Sequence, residues 1–182
     1  MNTHPWYSGK GDSGTSTLFG SKDRIPKNDV RFEALGSIDE LNSLLGVCRA
    51  VVVEQKYTAP LRKTIETIQE YLFTAQAELA GASPHLEEHH VVWLNNTIET
   101  YASAVQKPNS FIIPGATIAS GMLDYARTVA RRAERAVAVC AEQHTVSPHL
   151  QTFINRLSSM FFILARAAAK LASVDERAPQ YL

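Results

Sequence analysis

Residues 31–48 read RFEALGSIDELNSLLGVC, and the spacing of their apolar side chains decides the fold class. Successive apolar residues stand three or four positions apart, which is the period of one face of an α-helix. These residues are Phe32, Leu35, Ile38, Leu41, Leu45 and Cys48. The stretch therefore predicts an amphipathic helix over about residues 31–54.

The same period recurs four times in the rest of the chain. Thr58 and Ser147 are candidate N-caps, because each is followed closely by a proline that fits the first turn of a helix. The four further helices are predicted over residues 58–79, 86–105, 117–143 and 147–173. No strand pattern of convincing length interrupts them. The sequence predicts an all-α fold, a five-helix up-and-down bundle.

Residues 1–30 differ from the rest because they are rich in Gly, Ser and Thr and have no helical period. Long glycine-rich segments of this kind are often functional when they are ordered, although a disordered tail is the alternative. We expect a single domain over residues 1–182. It consists of an ordered N-terminal arm (1–30) and a helical bundle (31–173).

Composition excludes some partners and favours one compartment. Eighteen Lys and Arg balance eighteen Asp and Glu, which gives no electrostatic argument for a nucleic acid or an anionic membrane. No segment approaches the roughly 20 apolar residues of a membrane span, and no signal peptide is recognisable. Cys48 and Cys140 lie in apolar periodic stretches, which indicates buried free thiols. We expect a cytoplasmic protein.

The predicted fourth helix carries four arginines within nine residues, Arg127, Arg131, Arg132 and Arg135. Their guanidinium groups repel one another unless an anion lies among them, and arginine is well suited to bidentate phosphate binding. Spacing places Arg127, Arg131 and either Glu134 or Arg135 on one face. A solvated face, softened by Glu134, is the alternative interpretation.

The arm contains a literal G-x-G-x-x-G at Gly9, Gly11 and Gly14, but no strand precedes it and no helix follows. A dinucleotide-binding fold is therefore rejected. Glycines free backbone N–H groups to bind an anion, and Lys10 and Lys27 add positive charge. A flexible linker is the competing interpretation. Together, the arm and the arginine helix would suit a polyphosphate.

Other polar positions are less specific. Asp39 is by default a surface acid, and Asn155 requires either solvent or a polar partner. Glu87 and His90 form one Glu-x-x-His, whereas a di-iron bundle needs two. We therefore interpret His89 and His90 as the polar face of a helix start rather than as iron ligands.

Several motifs, taken in order, resemble the PduO-type ATP:cob(I)alamin adenosyltransferases over about residues 7–168. The motifs are Gly11-Asp12-x-Gly14, Pro26-Lys27, Glu33-Ala-x-Gly36-x-x-Asp39-Glu40-Leu-Asn42, Phe111-Ile-Ile-Pro114-Gly115, Arg127-x-x-x-Arg131-Arg132-Ala-Glu134-Arg135 and Asn155-Arg156-Leu-Ser158. No single motif is specific, but their combination is.

The resemblance implies a homotrimer with active sites between subunits. It implies an ATP site made from the arm and from the fourth and fifth helices: Ser8, Gly9, Lys10, Gly11, Ser16, Thr17, Lys27, Arg131, Arg132, Glu134, Arg135 and Asn155. It also implies that Asp39 and Arg127 form an intersubunit ion pair beside the corrinoid. Phe111, Arg131 and Lys27 would then be catalytic, with Phe111 displacing the lower ligand of the corrinoid.

The implied reaction transfers the adenosyl group of ATP to the cobalt of cob(I)alamin or a related corrinoid, with release of triphosphate. Mg²⁺, a flavoprotein reductase and an acceptor enzyme that depends on adenosylcobalamin would be its partners. A corrinoid carrier or nucleotide-responsive adaptor with little turnover is the alternative, and Lys10 and Ser159 favour it. A helical interaction module is a third option, but it leaves the arginines and the glycine arm unexplained.

Overall fold

The computed structural model describes residues 6–52 and 58–180 and contains five helices in this part of the chain. The helices are α1 (Val30–Val51), α2 (Ala59–Leu79), α3 (Glu88–Ala104), α4 (Ile118–Gln143) and α5 (Pro148–Leu171). The five predicted helices are confirmed, with ends that agree within about two residues except at the end of α1, which closes at Val51. The predicted end of the first helix, near residue 54, lies outside the described residues.

Local capping explains where three of the helices begin. Asp29 accepts a hydrogen bond from the backbone N–H of Arg31 at the start of α1. Thr117 and Ser147 accept from the third residue after them, at the starts of α4 and α5. Each bond satisfies a backbone donor that has no partner inside the helix. Thr58 occupies the predicted N-cap of α2, but it makes no side-chain capping bond there.

The helices pack as a closed bundle. α4 lies between α1 and α5, α2 packs on α1, and α3 packs on α5. Side chains join α2 to α3, since the ring of Tyr71 meets that of Trp93 edge to face, and the hydroxyl groups of Thr64 and Tyr101 lie 3.2 Å apart. The segment between α3 and α4, residues 105–117, therefore crosses the bundle beside α5 instead of making a tight turn.

The core runs the length of the bundle and is apolar. Leu, Ile and Phe provide its largest side chains, and burial of this kind is the main favourable contribution to folding. The largest fully buried side chains are Phe153, Phe161, Ile38, Leu41, Leu45, Leu61, Ile65, Ile68, Leu72, Leu86, Leu94 and Leu123. The two thiols predicted to be free and buried, Cys48 and Cys140, are both so in the structure. No described helix is long and apolar enough to cross a bilayer.

The arm contains one feature that the sequence did not predict, a minimal antiparallel pair of strands. β1 (Thr15–Ser16) pairs with β2 (Ile25–Pro26), and the N–H of Lys27 donates to the carbonyl of Gly14 at 2.9 Å. Two residues per strand are too few to leave a readable alternation of apolar and polar residues. The pair turns the described arm back on itself before α1 begins.

Candidate functional site

A groove of about 510 Å³ lies between α3, α4 and α5. Arg127 and Arg131 of α4 line one wall, and Ser158, Ser159 and Phe162 of α5 line the other. The first residues of the crossing segment, 105–108, close one end. Most of the lining is apolar, with the charged groups few and placed together, which is the usual make-up of a site for a small organic molecule.

A second cavity, of about 330 Å³, continues along the contact between α4 and α5. Asn155 Nδ2 of α5 donates a hydrogen bond to Glu134 Oε1 of α4 at 2.6 Å. Gln151, Thr152 and Arg156 add further polar groups to this cavity. Asn155 lies in an apolar stretch and was expected to need either solvent or a polar partner. It has both, because it is exposed and bonds Glu134.

The arginine run divides between two sides of α4. Arg127 and Arg131 face α5, as does Glu134, so the predicted common face of these three residues is present. Arg132 and Arg135 instead line a cavity of about 250 Å³ against the start of α1. Arg132 forms an ion pair with Glu40 of α1. A single chain therefore does not bring all four guanidinium groups to one anion.

The arm is a compact loop held by Arg24. The guanidinium of Arg24 donates to the hydroxyl and the carbonyl of Thr15 and to the carbonyl of Lys10. Gly9 and Gly14 have φ of +67° and +77°, which glycine adopts without strain. A Cβ added to Gly11 would lie 3.1 Å from Nζ of Lys27, so this ammonium group lies directly beside the glycine-rich backbone.

The predicted arm residues lie on this loop, within reach of solvent. Ser8 Oγ accepts a hydrogen bond from the N–H of Lys10 at 3.3 Å, Ser16 is half-buried, and Thr17 is exposed. From Ser8 to Lys27, the described hydrogen bonds of the arm run within the arm, and none reaches the arginines of α4 in the same chain. The arm and the arginine helix are thus two separate features of one chain.

Asp39 and Arg127 do not contact each other within one chain. Asp39 is exposed and accepts a hydrogen bond from Nε2 of Gln76 at 3.3 Å. Arg127 Nε lies 3.4 Å from Oδ1 of Asp124, one turn earlier on α4. A pair between Asp39 and Arg127 would therefore need two subunits.

Phe111 lies in the crossing segment with 79% of its surface exposed. Two residues further on, the N–H of Ile113 donates a 2.8 Å hydrogen bond to the carbonyl of Arg177, in the non-helical segment after α5. The C-terminal segment therefore holds the crossing segment, which carries Phe111, in place. An exposed aromatic ring on a tethered segment is available to a ligand without any rearrangement of the core.

A buried cluster of charges that the sequence did not predict lies beside the groove, and its Arg166 also lines the groove. Arg166 is 4% exposed and Asp124 is 3% exposed, and they form an ion pair with Nη2 to Oδ2 at 2.5 Å. Glu176 also binds Arg166, at 2.6 Å. The available signals were an arginine within the apolar end of α5 and an acid three residues before Arg127.

Other titratable groups stabilise the fold and do not take part in chemistry. Burial raises the pKa of the Cys48 thiol to about 12, so this thiol stays protonated and is not a nucleophile at neutral pH. The hydrogen bonds from Arg31 lower the pKa of Asp29 well below its usual range. His90 is buried, and its Nδ1 accepts from the N–H of Glu87, so it caps α3 instead of lying on an exposed face as predicted.

Residues 6–168 match the family model described as cobalamin adenosyltransferase. The chain belongs to the cobalamin adenosyltransferase family. The match to this family includes the arm, the arginine helix, the Phe111 segment and the Asn155 turn of α5, so every predicted site residue falls within it. The segment after Ala168, including Glu176 and Arg177, lies beyond it.

Curated members of the family agree with this assignment. The chain is 36% identical over 168 residues to the corrinoid adenosyltransferase PduO of Salmonella typhimurium, with 88% of this chain covered. It spans only 48% of the length of that relative. It is also 37% identical to a corrinoid adenosyltransferase of Citrobacter freundii, where the alignment covers 88% of this chain and 92% of the relative.

Solved structures of family members have the same fold. A variant PduO-type ATP:corrinoid adenosyltransferase from Lactobacillus reuteri, complexed with cobalamin and ATP, superposes with a TM-score of 0.87 at 33% identity. The superposition covers 97% of this chain and 99% of the other. A second such variant, also complexed with cobalamin and ATP, gives a TM-score of 0.88 at 33% identity and 96% coverage of both chains. The all-α five-helix bundle is thereby confirmed.

Proposed function

We propose that this chain transfers the 5′-deoxyadenosyl group of ATP to the cobalt of a reduced corrinoid such as cob(I)alamin, with release of triphosphate. The observation that carries the proposal is the groove in which Arg127 and Arg131 face Phe162 across an apolar channel. Family relatives named for this reaction support it. The groove offers apolar surface for a large macrocycle and positive charge for an anion in one continuous site.

The triphosphate is assigned to two sets of groups. One is the arm, with Ser8, Gly9, Lys10 and Gly11, followed by Ser16, Thr17 and Lys27. The other is the helical set of Arg131, Arg132, Glu134, Arg135 and Asn155. Because the described hydrogen bonds of the arm do not reach α4 in the same chain, the two sets would meet across a subunit boundary. This arrangement supports the expected homotrimer, in which Asp39 of one subunit pairs with Arg127 of the next.

The corrinoid is assigned to the groove, with Phe111 beside it. The reaction needs cobalt as a nucleophile, so axial ligands must be kept away from the metal. An exposed aromatic ring on the tethered segment is suited to exclude water and the lower ligand from one face. Cobalt then donates an electron pair to C5′, the C5′–O bond breaks, and the triphosphate leaves with the bonding pair.

Charge stabilisation of the leaving triphosphate is the main contribution of the protein groups. Lys27 and Arg131 would face the charge that develops on the leaving oxygen, which is electrostatic catalysis without proton transfer. Mg²⁺ is expected to arrive with the triphosphate, since it is usually held by one or two carboxylates together with phosphate oxygens. Glu134 is the carboxylate that would hold it. Among the described residues, no group of three His, Cys, Asp or Glu forms a separate metal site.

The remaining partners follow from the chemistry. Cob(I)alamin must be supplied by a reduction, so we propose a flavoprotein reductase as donor and an enzyme that depends on adenosylcobalamin as acceptor. The two free thiols are compatible with a reducing cytoplasm.

The test is a visible-spectrum assay with purified protein, ATP, Mg²⁺ and chemically reduced cob(I)alamin. We expect adenosylcobalamin to form, and Arg131→Met to lower kcat/KM by at least about a hundredfold, as typical for a lost preorganised charge. Arg49→Met is the matched control, because Arg49 of α1 pairs with Glu66 of α2, whereas the groove lies between α3, α4 and α5. Conversion no faster than without protein would reject the enzyme. Tight corrinoid binding without conversion would instead support the carrier or adaptor.

A further inference from the structure

Four charged side chains meet beside the groove, where α4, α5 and the C-terminal segment come together, and one of them, Arg166, also lines the groove. Arg166 bonds Asp124 through Nη2 at 2.5 Å and Glu176 through Nε at 2.6 Å. Asp124 also faces Arg127, whose Nε lies 3.4 Å from its Oδ1. Two guanidinium groups thus balance two carboxylates, as burial of charge requires.

The cluster contacts both walls of the groove. On α5, Cζ of Arg166 lies 4.6 Å from the centre of the Phe162 ring, which is within the range of a cation–π contact. On α4, Asp124 holds Arg127 from one turn away. Phe162 and Arg127 both line the groove, so the same ion pair orients an aromatic ring on one side and a cation on the other.

The cluster also reaches the Phe111 segment. Glu176 is bound to Arg166, and the next carbonyl along the chain, that of Arg177, accepts the N–H of Ile113. The C-terminal segment is therefore fixed at two adjacent residues, one on the ion cluster and one on the segment that carries Phe111.

We propose that Asp124 and Arg166 are positioning residues for the corrinoid, acting through Arg127 and Phe162, with Glu176 completing the cluster from the C-terminal segment. The proposal rests on the proposed function. A buried ion pair adds little net stability, because an apolar replacement of similar volume is often as stable. Its contribution here is geometric. It holds a guanidinium and a ring at fixed positions, and a displacement of about 1 Å can cost a large factor in rate.

The test compares Asp124→Asn and Glu176→Gln with the wild type and with Glu66→Gln, a control in a surface ion pair between α1 and α2, outside the groove lining. Loss of one charge-assisted contact predicts that the KM for cob(I)alamin rises about tenfold in Asp124→Asn and about threefold in Glu176→Gln. The KM for ATP should stay within about twofold in both variants, because the cluster contacts Arg127 and Phe162, which are not among the groups assigned to the triphosphate. Asp124→Asn should raise the KM for cob(I)alamin by a smaller factor in an Arg127→Met background than in the wild type.

The results separate the two proposals. An equal rise in both KM values, or a corrinoid KM unchanged in both variants, would overturn the positioning role while the wild type remains active. Fully additive effects of Asp124→Asn and Arg127→Met would also overturn it. If Asp124→Asn does not fold, Glu176→Gln decides, because the Glu176 side chain is more exposed than that of Asp124. A wild type without turnover would reject the proposed function itself.

Discussion

The side-chain amide of Asn155 on α5 donates a 2.6 Å hydrogen bond to the carboxylate of Glu134 on α4. This bond joins the two helices along the same contact that, further on, opens into the arginine-lined groove. It also fixes one carboxylate oxygen of Glu134, and the other has no hydrogen-bond partner among the described residues. A carboxylate held in this way is suited to receive the Mg²⁺ that accompanies a triphosphate.

Glu134→Gln should therefore weaken ATP binding. The substitution keeps the shape but removes the negative charge, so we expect the KM for ATP at fixed Mg²⁺ to rise about tenfold or more. The KM for the corrinoid should change much less. Steady-state kinetics with each substrate varied in turn measure both. Glu142→Gln, an exposed position further along α4, is the control. An unchanged ATP KM would remove Glu134 from the nucleotide site.

Phe111→Ala should impair chemistry without loss of stability. Because 79% of the ring is exposed, its removal takes little from the core, and the melting temperature should stay within a few degrees. We expect the electron paramagnetic resonance signal of four-coordinate cob(II)alamin to fall strongly in the presence of ATP. Phe73→Ala, on the exposed face of α2, is the control. A normal signal in Phe111→Ala would show that another group excludes the lower ligand.

Phe153→Ala, in contrast to Phe111→Ala, should lower the stability of the fold. Phe153 is fully buried and meets Tyr71 edge to face, with 5.9 Å between ring centres. Truncation of a buried phenylalanine costs about 3–5 kcal/mol, which lowers the melting temperature by roughly 10 °C in a chain of this size. Differential scanning calorimetry measures the change, again with Phe73→Ala as the exposed counterpart. Equal changes in the two variants would contradict the position of Phe153 in the core.

His90 should make the free energy of unfolding depend on pH. Burial, with a smaller contribution from His89, lowers the pKa of His90 below its ordinary value of 6.5. The unfolded chain then binds more protons than the folded chain as the pH falls through this range, so stability should fall below about pH 6.5. Protonation also removes the acceptor that Nδ1 offers to the N–H of Glu87.

Urea unfolding from pH 8 to pH 5 checks this expectation. His90→Gln keeps a polar side chain without the titration, so its stability should vary less over the same range. His149→Gln, at an exposed position on α5, should follow the wild type. A wild-type curve no steeper than that of His90→Gln would show that His90 is not responsible.

The helices were predictable because each leaves a repeated apolar period, and α5 also has a recognisable start in Ser147 and Pro148. The two-residue strands were not, since Thr15–Ser16 and Ile25–Pro26 are too short for any period. The end of the first helix was predicted near residue 54, whereas α1 ends at Val51.

The site was predictable only in part. Spacing along α4 grouped Arg127 and Arg131 with either Glu134 or Arg135, because residues three and four apart share a helix face. The structure places Glu134 with them, since it bonds Asn155 of α5, and Arg135 on the side of α1. The same geometry turns Arg132 away from Arg131, but the pairing of Arg132 with Glu40 depends on how α1 packs, which local sequence does not encode. The buried pair of Asp124 and Arg166 joins residues 42 positions apart, so only the tertiary structure reveals it.

The most direct measurement is the product balance of one reaction: wild-type protein, Mg²⁺, cob(I)alamin and ATP labelled in the γ-phosphate, with products separated by chromatography. The proposed reaction predicts one labelled triphosphate, released intact, for each adenosylcobalamin formed. Labelled orthophosphate without adenosylcobalamin, or no product above the protein-free control, would contradict it.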